Sequence, residues 1–185
     1  MVRIMGIVGS PRKEGNTENL IKEALKAAGD VGAEIELVRL GSAEIEPVWL
    51  VIYAKPLVNV PYTMIWEKYW KKMVKADGFI IGSPVYFGNV TSQLKMLMDR
   101  SRPLRMDFKL KNKVGGAIAT GGSRNGGQET TIAAIHEFLL IQDAIVVGDG
   151  ALWPTTVELV WEPLLRMRLD CKPHRIWVKE WLNWQ

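Results

Sequence analysis

The alternation of short apolar runs with helical patterns is the feature that most constrains how this sequence can fold. Two runs, 78–82 and 114–119, are continuously apolar and are typical of strands buried on both faces of a parallel sheet. Further β segments are predicted at 2–8, 34–40 and 144–147, and helices at 16–28, 66–76, 91–100 and 129–140. Because the β segments are separated by helices, they require right-handed βαβ crossovers. The sequence therefore predicts an α/β fold, a doubly wound five-stranded parallel sheet.

Length and composition indicate one globular domain. With 185 residues, 48% hydrophobic and 24% charged, the chain suits one ordinary core, and residues 1–185 are predicted to form a single domain. This composition excludes a disordered chain and a membrane-embedded bundle. The net charge of +4 is spread along the chain, so no nucleic-acid partner is predicted. No apolar run reaches transmembrane length, and the start leads into a loop instead of a signal-peptide cleavage region, so we expect a cytoplasmic protein with no membrane partner.

Ligands of such sheets bind at the carboxyl ends of the strands, where the first of three distinctive loops begins. The first loop, residues 9–17, reads Gly-Ser-Pro-Arg-Lys-Glu-Gly-Asn-Thr and opens into a helix. Helix N-terminal N–H groups, the hydroxyls of Ser10 and Thr17 and the Arg12 cation suit a phosphate. The loop lacks both the Walker lysine and the Gly-x-Gly-x-x-Gly series, so a terminal phosphomonoester fits it better. The alternative is structural: Asn16 or Thr17 caps the helix after an ordinary turn.

The second loop, residues 83–89, and the third loop, residues 120–128, follow the two buried strands. In the second loop, Tyr86 and Phe87 offer a surface to a flat ring, and Gly88 admits close approach. The alternative is that both aromatic rings cover a seam between helices. The third loop has four glycines in nine residues, which indicates close approach to a ligand or a mobile flap; its alternative is a flexible turn. Three such loops at one sheet edge favour a ligand site.

The three loops together resemble a known family. The matching motifs are Gly-Ser-Pro-Arg…Gly-Asn-Thr at 9–17, Gly-Ser-Pro-Val-Tyr-Phe-Gly-Asn-Val at 82–90 and Gly-Gly…Gly-Gly-Gln-Glu-Thr at 121–130. They are similar to those of the iron–sulfur flavoproteins, within the NAD(P)H-dependent FMN reductase group of flavodoxin-like proteins. The resemblance implies FMN, with its phosphate at Ser10, Arg12, Asn16 and Thr17. It also implies that the third loop closes over the isoalloxazine ring at Thr120, Gly121 and Gly122, and that the ring lies against the second loop, at Pro84, Val85, Tyr86, Phe87, Gly88 and Asn89.

The resemblance also implies how such a protein works and with what it associates. The flavin carries the redox chemistry, so no catalytic side chain is required. Family members are similar in being homodimers or homotetramers. Two functions remain open: an oxidoreductase that turns over NAD(P)H, and an electron carrier whose FMN exchanges electrons with a protein such as a ferredoxin-like partner. The sequence does not choose between these electron donors.

The segment after the second strand departs from the family pattern. Iron–sulfur flavoproteins resembling this chain carry a compact four-cysteine motif there, but residues 47–65 contain no cysteine, so a [4Fe-4S] cluster has no thiolate ligands at that place. When each codon is read from its third base, cysteine is permitted by the codons that begin in Pro47, Leu50, Tyr53 and Asn59, with the spacing C-x2-C-x2-C-x5-C. We hypothesise two compensating frameshifts, near Pro47 and near Trp66. The alternative is genuine divergence into a cluster-free flavoprotein.

Several other features have structural explanations. The resemblance ends after Gly150, residues 150–177 are atypical, and Cys171 within them is predicted to be an incidental thiol. The lysines of one helix are predicted to form a solvated face instead of a nucleic-acid surface; they are Lys68, Lys71, Lys72 and Lys75. His136 has apolar neighbours and no second histidine nearby, so it is predicted to be a helix-face or core residue, and no metal site is predicted.

Overall fold

Strands and helices alternate along the part of the chain that is described. The computed structural model describes residues 1–43, 45, 47–48 and 64–148, with the side chains of the last range from residue 68 onward. The elements in chain order are β1 (Arg3–Val8), α1 (Asn16–Asp30), β2 (Glu34–Arg39), α2 (Met64–Lys75), β3 (Gly78–Pro84), α3 (Ser92–Arg100), α4 (Arg102–Met106), β4 (Val114–Thr120), α5 (Gln128–Ile141) and β5 (Ile145–Val146). Within these ranges no helix combines the length and the apolar character needed to cross a membrane.

The strands form one parallel sheet in the order β2-β1-β3-β4-β5. β1 pairs with β2 on one side and with β3 on the other, so that Val8 lies opposite both Arg39 and Gly82. Because the strand order reverses at β1, the connections after β1 and β3 leave toward opposite faces and open a crevice at the carboxyl edge. The predicted fold class, a doubly wound five-stranded parallel sheet, is confirmed.

Two apolar cores cover the faces of the sheet, because side chains of a strand alternate between its faces. On one face Ile4 packs with Ile21 and other residues of α1. On the opposite face Ile7 and Phe79 pack with residues of α2, α3 and α5. The helix α1 lies very close to the sheet, since a Cβ on Gly82 would be 2.7 Å from Ile21 Cδ1. This close packing fixes the start of α1 at the crevice.

The structure extends two of the predicted strands toward the crevice. β3 ends at Pro84 and β4 at Thr120, because the parallel ladder continues to the pair formed by these two residues. Parts of the second and third loops therefore begin as strand. Periodicity did not predict α4, a five-residue helix with Pro103 in its first turn, because so short a helix shows no repeat.

Some predictions fall outside the described residues. These are most of the segment 47–65 with its hypothesised cysteine codons, the atypical segment 150–177, and Cys171. That residues 1–185 form a single domain stays a prediction for the same reason.

Candidate functional site

Three loops meet at the carboxyl edge, at the ends of β1, β3 and β4. The Gly9 N–H donates to Gly82 O at 2.7 Å, and the Thr91 hydroxyl donates to Gly9 O at 2.6 Å. The Val85 N–H donates to Thr120 O at 2.8 Å. These bonds join the first loop to residues on both flanks of the second loop, and the second loop to the third. The structure thus brings together the three loops that the sequence singled out.

The first loop delivers the N-terminus of α1 to this edge. Gly15 is the N-cap, and as a glycine it has no side chain that could accept from the N–H groups of the first turn. The alternative in which Asn16 or Thr17 caps the helix is wrong, because both residues lie inside the helix and the Thr17 hydroxyl bonds elsewhere. Ser10 Oγ accepts from the Arg12 N–H at 3.2 Å, and the Arg12 side chain is exposed. Free helix amides beside a hydroxyl and a cation suit an anion.

Two threonine hydroxyls join the first and third loops inside the site. Thr17 Oγ1 and Thr120 Oγ1 are 2.8 Å apart, and both residues are buried. A bond between two hydroxyls uses only one of their two hydrogens. The bond between the two hydroxyls thus leaves one hydroxyl hydrogen of the pair unused.

Glu18 stabilises the first loop from within α1. Its buried Oε1 accepts from Arg39 Nη2 at 2.6 Å and from Lys22 Nζ at 2.7 Å. Its Oε2 accepts at 2.9 Å from the N–H of Glu14, which has a left-handed φ of 55°. The hydrogen bond from Arg39, assisted by that from Lys22, lowers the pKa of Glu18 to about 2, although burial opposes the shift. The charged carboxylate thus holds a backbone conformation that non-glycine residues seldom adopt.

The second loop turns sharply and presents an aromatic ring to solvent. The Tyr86 N–H donates to Asn89 O at 2.9 Å, and the Asn89 N–H donates to Tyr86 O at 3.1 Å. Phe87 and Gly88, with φ of 51° and 73°, occupy the central positions of this turn. Phe87 is fully exposed and Tyr86 is 46% exposed, so the alternative in which both rings cover a seam between helices is wrong. A bulky residue at positive φ is strained, and such strain is typical of functional sites.

The third loop is tied to the start of α5 by Gln128. This residue is 1% exposed; its Oε1 accepts from the Gly126 N–H at 2.7 Å, and its Nε2 donates to Ser123 O at 2.7 Å. Gly121 packs against the same amide, whereas a Cβ on Gly122 would meet nothing within 4 Å. The loop thus has a fixed base and a part that borders open space, which favours a ligand rim over a flexible turn.

The second and third loops touch through two glycines. A Cβ on Gly127 would lie 2.7 Å from Gly88 Cα, and Gly127 has a φ of 103°. The Thr130 hydroxyl donates to Gly88 O at 2.6 Å. Glycine alone tolerates both this contact and this φ. The two loops therefore form one continuous rim beside the N-terminus of α1.

Sequence reasoning missed four side chains that support the loops: Glu18, Thr91, Gln128 and Thr130. Each lies at the start of a helix, where a polar residue is usually exposed to solvent. Their roles come from burial, as for Glu18, Thr91 and Gln128, or from a partner far along the chain, as for Thr130, and a single sequence displays neither. For Gln128 and Thr130 one signal existed, since both belong to the Gly-Gly-Gln-Glu-Thr part of the third motif.

The remaining candidates were not predicted to bind FMN. His136 is half-buried in α5, where burial lowers its pKa, as suits a core or helix-face residue. Of the lysine face on α2, Lys68 is exposed and Lys72 forms an ion pair with Glu36. In the part of the chain that is described, no group of three metal-ligating side chains converges on one point.

This chain matches one family model and is similar to several proteins called iron–sulfur flavoproteins. The model of the NADPH-dependent FMN reductase family matches residues 2–157. An iron–sulfur flavoprotein of Methanocaldococcus jannaschii is 55% identical over 149 residues, which are 80% of this chain and 77% of that protein. An iron–sulfur flavoprotein of Methanosarcina thermophila is 44% identical over 163 residues, or 88% of this chain and 84% of that protein.

Solved structures agree on the fold. RosB, solved with 8-demethyl-8-formylriboflavin-5'-phosphate bound, has a TM-score of 0.73 at 19% identity and covers 97% of this chain and 77% of its own. FerB of Paracoccus denitrificans, a flavoenzyme NAD(P)H:(acceptor) oxidoreductase, has a TM-score of 0.71 at 18% identity and covers 100% of this chain and 97% of its own. A flavodoxin from the domain Archaea has a TM-score of 0.63 at 13% identity and covers 98% of this chain and 99% of its own. Identities this low establish a flavodoxin-like fold alone.

Proposed function

This chain belongs to the NADPH-dependent FMN reductase family, and on that premise we propose that it binds FMN in the three-loop site and transfers electrons from NAD(P)H to an acceptor. The observation that carries the proposal is the meeting of a helix N-terminus that has no capping side chain with a rim of aromatic and glycine residues. FMN has the corresponding two parts, a phosphate and a flat ring. When bound, FMN supplies the electron-transfer chemistry that the side chains themselves do not provide.

In this proposal the first loop holds the phosphate. The free N–H groups at the start of α1 and the Ser10 hydroxyl donate to its oxygens, and Asn16 and Thr17 border it on the helix side. Arg12 adds an exposed cation, which stabilises the phosphate charge together with the positive end of the helix dipole. The negative charge of Glu18 in the same turn is paired with Arg39 and Lys22, so it repels the phosphate only weakly.

The second and third loops orient the ring. The Phe87 and Tyr86 side chains offer apolar surface to one side of it, and the Gly88 backbone admits close approach to its polar edge. Open space beside Gly122 leaves room for the ring to enter. The other bordering positions in this proposal are Pro84, Val85, Asn89, Thr120 and Gly121.

The donor is supported by names alone. The family description specifies NADPH, and the Paracoccus relative of known structure is an NAD(P)H:(acceptor) oxidoreductase. A second candidate is an FMN electron carrier that receives electrons from a ferredoxin-like protein, which is favoured by the relatives named iron–sulfur flavoproteins. Assembly into a homodimer or homotetramer stays a prediction.

Anaerobic stopped-flow mixing of the FMN-loaded protein with NADPH or NADH tests the proposal. We expect the visible flavin absorbance to bleach with one or both nucleotides, because a nicotinamide donor passes two electrons to the flavin. A protein that stays yellow with both nucleotides and bleaches only with a reduced ferredoxin-like protein is a carrier. A colourless preparation that does not take up added FMN contradicts the FMN site itself.

A further inference from the structure

A cavity of about 630 Å³ lies on the other side of the first loop, beside β2, the first strand in the order of the described sheet. One wall is formed by Lys13 and Glu14 of the first loop and another by Arg39 at the end of β2. The wall opposite belongs to α2, with Lys68 and Lys72. We call this cavity the β2-edge groove. None of its lining residues was among the FMN-binding residues predicted from the sequence.

Cations dominate the lining of the β2-edge groove. Lys72 is paired with Glu36 and Arg39 with Glu18, but Glu18 also accepts from Lys22, so this carboxylate balances only part of the nearby positive charge. Glu14 is the acidic residue of the lining itself.

Lys13 and Lys68 form no ion pair with another described residue. Both side chains are exposed, and they reach the groove from opposite walls. A ligand with negative charge would meet them without having to break an existing bridge.

The shape of the groove favours a small anion over a protein surface. A concave space of this volume is typical of sites for small molecules and cofactors, whereas protein partners meet flatter surfaces. The Ser42 hydroxyl adds a hydrogen-bond donor, and the Tyr69 ring adds apolar surface. Lysines around a hydroxyl suit a phosphate group, and an aromatic wall suits the base or sugar that carries it.

The position of the groove connects it to the flavin site. Lys13 directly follows Arg12, the cation assigned to the FMN phosphate, and consecutive Cα atoms are only about 3.8 Å apart. With Arg12 at the FMN phosphate, as proposed above, a nucleotide in the groove would lie on the other side of the same loop. We propose that the β2-edge groove binds the 2′-phosphate on the adenosine half of NADPH and so makes the protein prefer NADPH to NADH. This inference rests on the proposed function.

The test compares two double variants of the FMN-loaded protein. Lys13→Gln/Lys68→Gln removes two groove cations, and Lys26→Gln/Lys111→Gln removes the same charge from exposed positions outside the groove. We expect the groove variant to lower kcat/KM for NADPH about tenfold and to leave the value for NADH nearly unchanged, because charged hydrogen bonds to the 2′-phosphate are lost. The control variant should change neither value.

Direct binding of adenosine 2′,5′-bisphosphate, measured by calorimetry, separates this inference from the proposed function. If the flavin is not reduced by either nucleotide but the wild type binds the bisphosphate and the groove variant does not, the phosphate site stands and the nicotinamide donor fails. If the wild type does not bind the bisphosphate, or the groove variant weakens NADPH and NADH equally, the inference is overturned. If the groove variant slows flavin reduction by an acidic protein donor and leaves reduction by NADPH unchanged, the inference is also overturned, and the groove is a protein-docking surface.

Discussion

Glu18 shows how one residue can support a site without touching the ligand. Its side chain is fully buried, yet it is charged, because Arg39, Lys22 and the Glu14 N–H all donate to it. Removing one partner of such a buried group leaves the others unsatisfied, which costs more than the net contribution of the bonds. The conformation of the first loop therefore depends on a buried carboxylate inside α1.

The lowered pKa of Glu18 predicts a specific loss of stability in acid. Its folded pKa of about 2 lies below the ordinary value of 4.5, so the carboxylate stabilises the fold above about pH 4.5, and this contribution is lost as the pH falls toward 2. A shift of this size corresponds to about 3 kcal/mol. We expect urea unfolding of Glu18→Gln to show a lower free energy of unfolding than wild type at neutral pH and a similar value near pH 2.

An exposed carboxylate provides the control for Glu18. Glu137→Gln removes the same charge from the surface of α5, and its free energy of unfolding should follow that of the wild type across the whole pH range. If Glu18→Gln also follows the wild type, Glu18 does not stabilise the first loop.

At the scale of elements, the sequence predicted most of the helices and strands but fewer of the contacts that form the rim of the site. Periodicity placed α1 and the strand runs 78–82 and 114–119 within a few residues of their observed bounds, because buried elements carry strong apolar patterns. The meeting of Gly127 with Gly88 could not be predicted, because it depends on how α5 packs against the sheet. Glycines signal that backbone freedom is needed but do not say which partner approaches.

Substitutions at the two ends of the proposed FMN site should affect ligand binding differently. Thr130→Val removes the hydroxyl that donates to Gly88 O, so the turn of the second loop loses one support. We expect both FMN and riboflavin to bind about 2–10-fold more weakly, because the ring contacts are common to both ligands and one neutral hydrogen bond is lost. Fluorescence titration of the apoprotein measures both affinities. Thr130→Ser, which keeps the hydroxyl, should bind as the wild type does.

Arg12→Gln is the matched variant at the phosphate end. It should weaken FMN and leave riboflavin unaffected, because riboflavin has no phosphate for the guanidinium to contact. Equal weakening of both ligands by Arg12→Gln would place this residue at the ring. No effect of Thr130→Val on either ligand would show that the bond from Thr130 to Gly88 O does not support the ring site.

For the whole molecule, the cysteine count is at odds with the names of the relatives. Two proteins called iron–sulfur flavoproteins are 55% and 44% identical to this chain. The chain itself contains one cysteine, Cys171, whereas a cubane cluster is held by four thiolates. Either the chain is a flavoprotein without the cluster at this place, or the natural protein is translated in a different reading frame over this segment.

Two compensating frameshifts, near Pro47 and near Trp66, predict a measurable difference in the natural protein. Shifting the frame creates four cysteine-permitting codons between these points, so the protein purified from its source should show several thiols on titration in denaturant, where the present sequence allows one. Its intact mass should differ from the mass calculated for the 185 residues, and a broad brown absorbance should accompany the flavin bands, because iron bound by thiolates absorbs across the visible range. A measured mass equal to the calculated one, together with a single thiol and a purely yellow spectrum, would instead establish divergence into a cluster-free flavoprotein.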